Sequence, residues 1–195
     1  MKRKRQILSS FPRMQLSKGF YKWGWVIIEG CTNNCDYCYA RKIIENRGRN
    51  FDKPVFNTYL LNEPFKIKPA RIFVNYLGDI MCVPDDWVKK IIDVCKRLPD
   101  HTFIFMTKLS ERYEKFAFPG NCVLGVTIES PDKWYRAEIM AKYANRKMCS
   151  VEPILGNFAG YDFSQFEFVV VGSLIENNTH EFYDTVKHDK IYYTR

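Results

Sequence analysis

The sequence has no apolar run near the roughly 18 residues that a membrane-spanning helix needs. Its longest apolar segments, such as Phe168-Val169-Val170-Val171, are strand-sized. Histidine is scarce: His101, His180 and His188 stand singly and far apart, so there is no paired-histidine metal motif. Low-complexity linkers, internal repeats and composition breaks are absent from the body, and one domain is the expectation for 195 residues. No acidic residue occurs among the first 24, which carry seven basic ones: Lys2, Arg3, Lys4, Arg5, Arg13, Lys18 and Lys22. Lys2-Arg3-Lys4-Arg5 lacks the apolar segment that follows in a secretion signal. These absences together predict a cytoplasmic protein without a membrane partner.

Apolar residues make up 46% and aromatic residues 16%, enough for a packed core and too many for a disordered chain. The net charge of +8 lies almost wholly in the N-terminal stretch. We therefore divide the chain into a basic arm, 1–22, and a body, 23–195. Such an arm either holds nucleic acid by counterion release or is a solvated extension.

Along the body, strand-like and helix-like segments alternate. Trp23 to Glu29 reads as a first strand and Cys38 to Asn46 as a helix, which Gly48 can stop. A loop-rich insertion, Asn50 to Pro69, follows. Arg71 to Asn75, Thr102 to Met106, Cys122 to Ile128, Lys147 to Val151 and Phe168 to Val171 read as strands, with a short last strand at Ile191-Tyr192-Tyr193. Helices are expected from Asp85, from Ser110 and from Ser130 to about Tyr143. Continuously apolar strands between helices predict a parallel sheet covered on both faces. The length falls short of the about 250 residues of a full eightfold barrel. The predicted fold is α/β, an incomplete (β/α)6-type TIM-like barrel with parallel strands, laterally open. Chemistry then belongs at the carboxyl ends of the strands.

Three of the seven cysteines lie there, in "GCTNNCDYCYA": Cys31, Cys35 and Cys38. In a reducing compartment, clustered thiols bind metal or do chemistry more often than they form disulfides. Structural zinc takes four ligands, usually from two paired knuckles; no second knuckle exists here, so zinc needs a ligand distant in sequence. A four-iron cluster is held by thiolates at its corners. Three thiolates leave one iron open to a small chelating molecule. Cys82, Cys95, Cys122 and Cys149 are scattered among apolar residues and read as small buried hydrophobes.

At these residues the sequence resembles the radical S-adenosylmethionine (SAM) enzymes, whose signature is C-x3-C-x2-C after the first strand, with an aromatic residue before the third cysteine. It is also similar to small radical-SAM-like proteins common in phages and prophages, through GCTNNCDYCYA (30–40), FVNYLGD (73–79), HTFIFMTK (101–108), LGVTIES (124–130), SVEPILG (150–156) and VVVGS (169–173). The resemblance implies a [4Fe-4S] cluster on Cys31, Cys35 and Cys38, and SAM chelated at the open iron. It implies reductive cleavage of SAM to a 5′-deoxyadenosyl radical that abstracts hydrogen, and a reductase or a flavodoxin- or ferredoxin-type electron donor. If the chain is phage-encoded, the host cytoplasm is its location.

The resemblance also places SAM contacts by strand order. Tyr37 would pack near the adenine. Asn75 or Asp79 would replace the Gly-Gly-Glu stretch that many members have after the second strand and that this chain lacks; Asp79 also suits a turn after Gly78. Lys108 would meet the SAM carboxylate or a substrate phosphate, unless it is an ordinary surface lysine. Thr127 and Glu129 would meet ribose hydroxyls; Glu129 could instead cap a helix, though Ser130 is the better cap. Glu152, fixed between Val151 and Pro153, would contact SAM or substrate. The direction of Glu29 is open. An open barrel and a basic arm favour modification of a nucleic-acid base or nucleotide. A peptide or small-metabolite substrate, and a non-catalytic iron–sulfur or zinc module that binds nucleic acid, are the alternatives.

Overall fold

All six residues of Cys122–Thr127 and all five of Phe168–Gly172 are buried, so both faces of these strands are covered. The computed structural model describes residues 8–9, 20–173 and 179–194. Its strands are β1 (Leu8–Ser9), β2 (Trp23–Trp25), β3 (Ile28–Glu29), β4 (Val55–Phe56), β5 (Arg71–Val74), β6 (Thr102–Thr107), β7 (Cys122–Thr127), β8 (Lys147–Val151), β9 (Phe168–Gly172) and β10 (Ile191–Thr194). Its α-helices are α1 (Tyr39–Glu45), α2 (Asp85–Arg97) and α3 (Tyr135–Met140), joined by short 3-10 turns. One sheet has the order β1-β2-β5-β6-β7-β8-β9-β10. The seven strands from β2 onward are parallel. They form a curled half-barrel, the incomplete TIM-like barrel expected, and the short Ile191–Thr194 strand is its seventh member. β1 runs antiparallel along the β2 edge.

Side chains alternate across the sheet. Ile72, Val74, Phe103, Phe105, Leu124, Val126, Cys149, Val151, Val169 and Val171 belong to the outer core, which includes Val88, Ile91, Ile92 and Cys95 of α2. That helix places Asp85 and Asp86 in its first turn and Lys96 and Arg97 in its last, matching its dipole. The opposite parity, Phe73, Ile104, Val123, Met148, Phe168 and Val170, lines the concave face.

Phe20 packs against that concave face, with ring centroids 5.6 Å from Phe168, 5.9 Å from Tyr192 and 6.1 Å from Phe73. The charge pattern puts Phe20 and Tyr21 in the basic arm. Packing puts them in the body, because the barrel floor needs apolar filling. The rest of the arm, apart from Lys22 and the two residues of β1, lies outside the described residues.

Two further expectations change. The run Trp23–Glu29 is two strands, because the chain leaves the sheet after Trp25 and Ile28–Glu29 pairs with Val55–Phe56 of the insertion. The helix expected from Ser110 is a 3-10 helix, Ser110–Lys115, and among the described residues the last two parallel crossovers hold loops and a 3-10 helix at Thr179–Thr185.

Candidate active site

The segment from Gly30 to Cys38 is shaped by left-handed backbone at Gly30 (φ 103°) and Asn34 (φ 48°). Gly30 suits this because it has no Cβ, and Asn is among the residues that tolerate it best. The loop is tied on both sides: Gly30 N–H donates to Leu77 O at 2.9 Å and Cys31 N–H to Phe51 O at 3.0 Å. A Cβ on Gly78 would lie 2.0 Å from Gly30 O, so two loops meet here at backbone distance. Beneath them Cys31, Ala40, Ile44, Phe51 and Leu77 form a small apolar cluster. Arg41 braces the far side, with Asp52 Oδ1 at 2.7 Å and Asn34 Oδ1 at 3.2 Å.

Cys31 is buried, and Cys35 and Cys38 are half-buried. Asn33 N–H points at Cys31 Sγ at 3.4 Å, a contact that suits a thiolate ligand. Among the described residues, no three His, Cys, Asp or Glu side chains gather closely enough to hold one metal ion. Three cysteine thiols on one loop are a donor set of the kind that holds the corners of an iron–sulfur cluster.

The strand-end residues share the inward parity: Asn75 continues Phe73, Lys108 continues Ile104 and Met106, Thr127 and Glu129 continue Val123, and Glu152 continues Met148 and Ser150. Lys108 Nζ lies 3.1 Å from Glu129 Oε2 and 5.4 Å from the Tyr37 ring centroid. Burial raises the Tyr37 phenol above its ordinary value, as do the nearby Glu129 carboxylate and Cys35 thiol. Burial also raises the Cys35 thiol, against the pull of the Lys108 ammonium. Tyr37, Cys35, Lys108 and Glu129 are thus one group.

Sequence reasoning missed Arg136. It sits on α3, nearly buried, and donates to Glu129 Oε2 and Thr127 O, both at 2.8 Å. Burial disfavours the Glu129 carboxylate, but Lys108 and Arg136 outweigh it and hold its pKa below the ordinary range. The site therefore sets two cations around the Glu129 carboxylate, with the Asp79 carboxylate at the Lys108 backbone. The sequence signal for Arg136 was weak: a basic residue on the face of a short helix that ought to be apolar.

Asn75 and Asp79 are committed to the frame of the site. Asn75 adopts φ 66°. Its Oδ1 accepts from Ile28 N–H at 3.0 Å and its Nδ2 donates to Gly78 O at 2.7 Å. Asp79 accepts four hydrogen bonds: from Asn33 Nδ2 (2.7 Å), Thr107 Oγ1 (2.7 Å), Lys108 N–H (2.8 Å) and Met81 N–H (2.9 Å). That fills the capacity of a carboxylate. Glu29 pairs with Arg47 and Arg49 in an ion-pair group.

Glu152 stands apart from the Lys108 group, at the β8 end, accepting from Thr194 Oγ1 at 2.6 Å. Burial raises its pKa above the ordinary carboxylate value, against the Thr194 bond and the Lys108 charge. The structure also brings an unforeseen thiol to the loop. Cys82, 51 residues from Cys31, places its Sγ 3.6 Å from Cys31 Sγ.

The profile of a family described as "Protein of unknown function (DUF5131)" matches residues 19–180. A search of curated proteins finds no match. Among solved structures the fold is similar to spore photoproduct lyase. A cysteine variant of that protein with dinucleoside spore photoproduct superposes at a TM-score of 0.59 and 13% identity, covering 83% of this chain and 59% of that one. A double variant with bound AdoMet and the same dinucleoside gives 0.56 and 14%, covering 82% and 58%. A cysteine variant without a named ligand gives 0.58 and 15%, covering 83% and 59%. The chain thus spans about three-fifths of the length of these structures. At such identities the likeness establishes the fold.

Proposed function

The chain belongs to the DUF5131 family, and from its site we propose that it is a radical SAM enzyme acting on a nucleic-acid base or nucleotide. The observation that carries this reading is the C-x3-C-x2-C loop at the carboxyl end of the first parallel strand, beside the Lys108–Glu129–Arg136 group. The fold shared with spore photoproduct lyase, solved with AdoMet and a dinucleoside, supports it.

In this reading Cys31, Cys35 and Cys38 hold a [4Fe-4S] cluster. With SAM on its open iron, such a cluster supplies reductive cleavage of the sulfonium and the hydrogen-abstracting 5′-deoxyadenosyl radical. The chain's own residues bind and orient. Lys108 offers its ammonium to the SAM carboxylate, and Arg136 keeps Glu129 ionised beside Thr127 for the ribose hydroxyls. Tyr37 offers a ring face to the adenine. Asp79 and Asn75 are positioning residues: Asp79 ties the loop, through Asn33, to the end of β6, and Asn75 ties β3 to the turn at Gly78. Glu152, across the concave face, is assigned to SAM or substrate in this reading. Aromatic packing around Phe20 closes the barrel floor to water. The open side of the half-barrel and the excess of basic residues favour a nucleic-acid or nucleotide substrate.

The test is anaerobic reconstitution with iron and sulfide, then dithionite and SAM, with nucleotides, DNA and RNA offered in turn. We expect 5′-deoxyadenosine from the wild type and none from Cys35→Ala. Four-sulfur zinc with no iron uptake would overturn the reading and favour a non-catalytic module. Turnover only with peptides or small metabolites would keep the enzyme and replace the substrate.

A further inference from the structure

We propose that Cys31 and Cys82 are a reversible redox pair, and that a disulfide between them withdraws Cys31 from the metal-binding loop until it is reduced. The pair follows from the geometry alone; its effect on metal loading rests on the function proposed above.

The two sulfurs are 3.6 Å apart. A disulfide bond is about 2.05 Å long, so side-chain rotation must close about 1.5 Å. The partners are held for this by Asn33. Its backbone N–H donates to Cys31 Sγ at 3.4 Å, and its Oδ1 accepts from Cys82 Sγ at 3.1 Å. Its Nδ2 is in turn held by Asp79, 2.7 Å away. Asp79 also accepts from Met81 N–H, capping the 3-10 turn Ile80–Cys82 that carries Cys82. One amide and one carboxylate therefore set both thiols.

Access differs between the two. Cys31 is 7% exposed, whereas Cys82 is only partly buried. A small peroxide meets Cys82 first, and Cys31 is the neighbour that resolves it. The balance is closed: two thiols and one hydrogen peroxide give one disulfide and two waters. The sulfurs lose two electrons, and the peroxide oxygens gain them. Thiol–disulfide exchange with a dithiol reverses the step. Cys95, Cys122 and Cys149 are fully buried and out of reach of such chemistry. An intracellular disulfide of this kind is usually transient and redox-sensing.

The test uses the full chain, reduced and stripped of metal by a chelator, then exposed to hydrogen peroxide. The protein is then unfolded in guanidinium so that the buried thiols can be reached, free thiols are alkylated, and the peptides are mapped by mass spectrometry without reductant. We expect a Cys31–Cys82 cross-link, with the other five of the seven cysteines alkylated. Iron and sulfide uptake, followed by absorbance and metal content, should be lost and then return on treatment with dithiothreitol. Peroxide-treated Cys82→Ala and Cys82→Ser should keep the uptake of their untreated forms. A Cys35–Cys38 cross-link, seven free thiols, or equal loss of uptake in wild type and Cys82→Ala would overturn the proposal. The map is read on metal-free protein, so the cross-link is judged independently of cluster binding. Failure of the reduced chain to take up iron at all would sink the cluster reading and leave the pair to be judged by its cross-link.

Discussion

Glu152 illustrates how a single side chain ties stability to pH. Its carboxyl is held above the ordinary value by burial, so the unfolded chain releases this proton before the folded chain does. Between the two values the folded state binds more protons, and stability falls as pH rises through that window. Glutamine at this position keeps an oxygen for Thr194 Oγ1 and carries no titrating proton. Glu152→Gln should therefore gain stability over the wild type as pH rises from about 4, the ordinary carboxylate value, and the gain should level off above the folded value. Thermal melts across that range check this; a constant difference would contradict it. Residues at this scale were unevenly legible. The three loop cysteines stand out by type and spacing, and Lys108 and Glu129 only through the resemblance and their place at strand ends. Arg136 and Cys82 do not: the partner of Cys82 is 51 residues away, and Arg136 meets Glu129, seven residues before it, only through the fold of the turn between them.

At the scale of elements, two loops meet without side chains between them. Gly78 faces Gly30 O where a Cβ would be 2.0 Å away, and neither partner is a flexible side-chain end. Gly78→Ala must push the cysteine loop outward. Overpacking of this kind costs about 1–3 kcal/mol, to be read as a lower urea midpoint, and iron uptake should fall further than stability alone explains. Gly120→Ala, with nothing within 4 Å of its Cβ, is the control that should leave both unchanged. The main strands were legible because buried parallel strands read as apolar runs. The split of Trp23–Glu29 was not. Ile28 and Glu29 are as strand-like as Trp23–Trp25, and only the pairing with Val55 and Phe56 decides where they go.

For the whole molecule, the concave face of the half-barrel needs a floor, and Phe20 provides it among Phe73, Phe168 and Tyr192. Phe20→Ala should cost about 3–5 kcal/mol, as for a buried core phenylalanine, measured by chemical denaturation. A loss within about 0.5 kcal/mol would mean a surface position and would return the residue to the basic arm. By itself the sequence determined the parallel α/β class, the order of the strands and the three thiols after the first of them. Periodicity, apolar runs and ligand spacing are local properties, and a linear reading captures them. Only the tertiary structure decided that Asp79 and Asn75 serve the frame of the site, that Arg136 supports Glu129, that Phe20 belongs to the core and that Cys82 meets Cys31. All but the Arg136–Glu129 pair are contacts between residues well separated in the chain, and every one is set by how the sheet curls and how its loops pack.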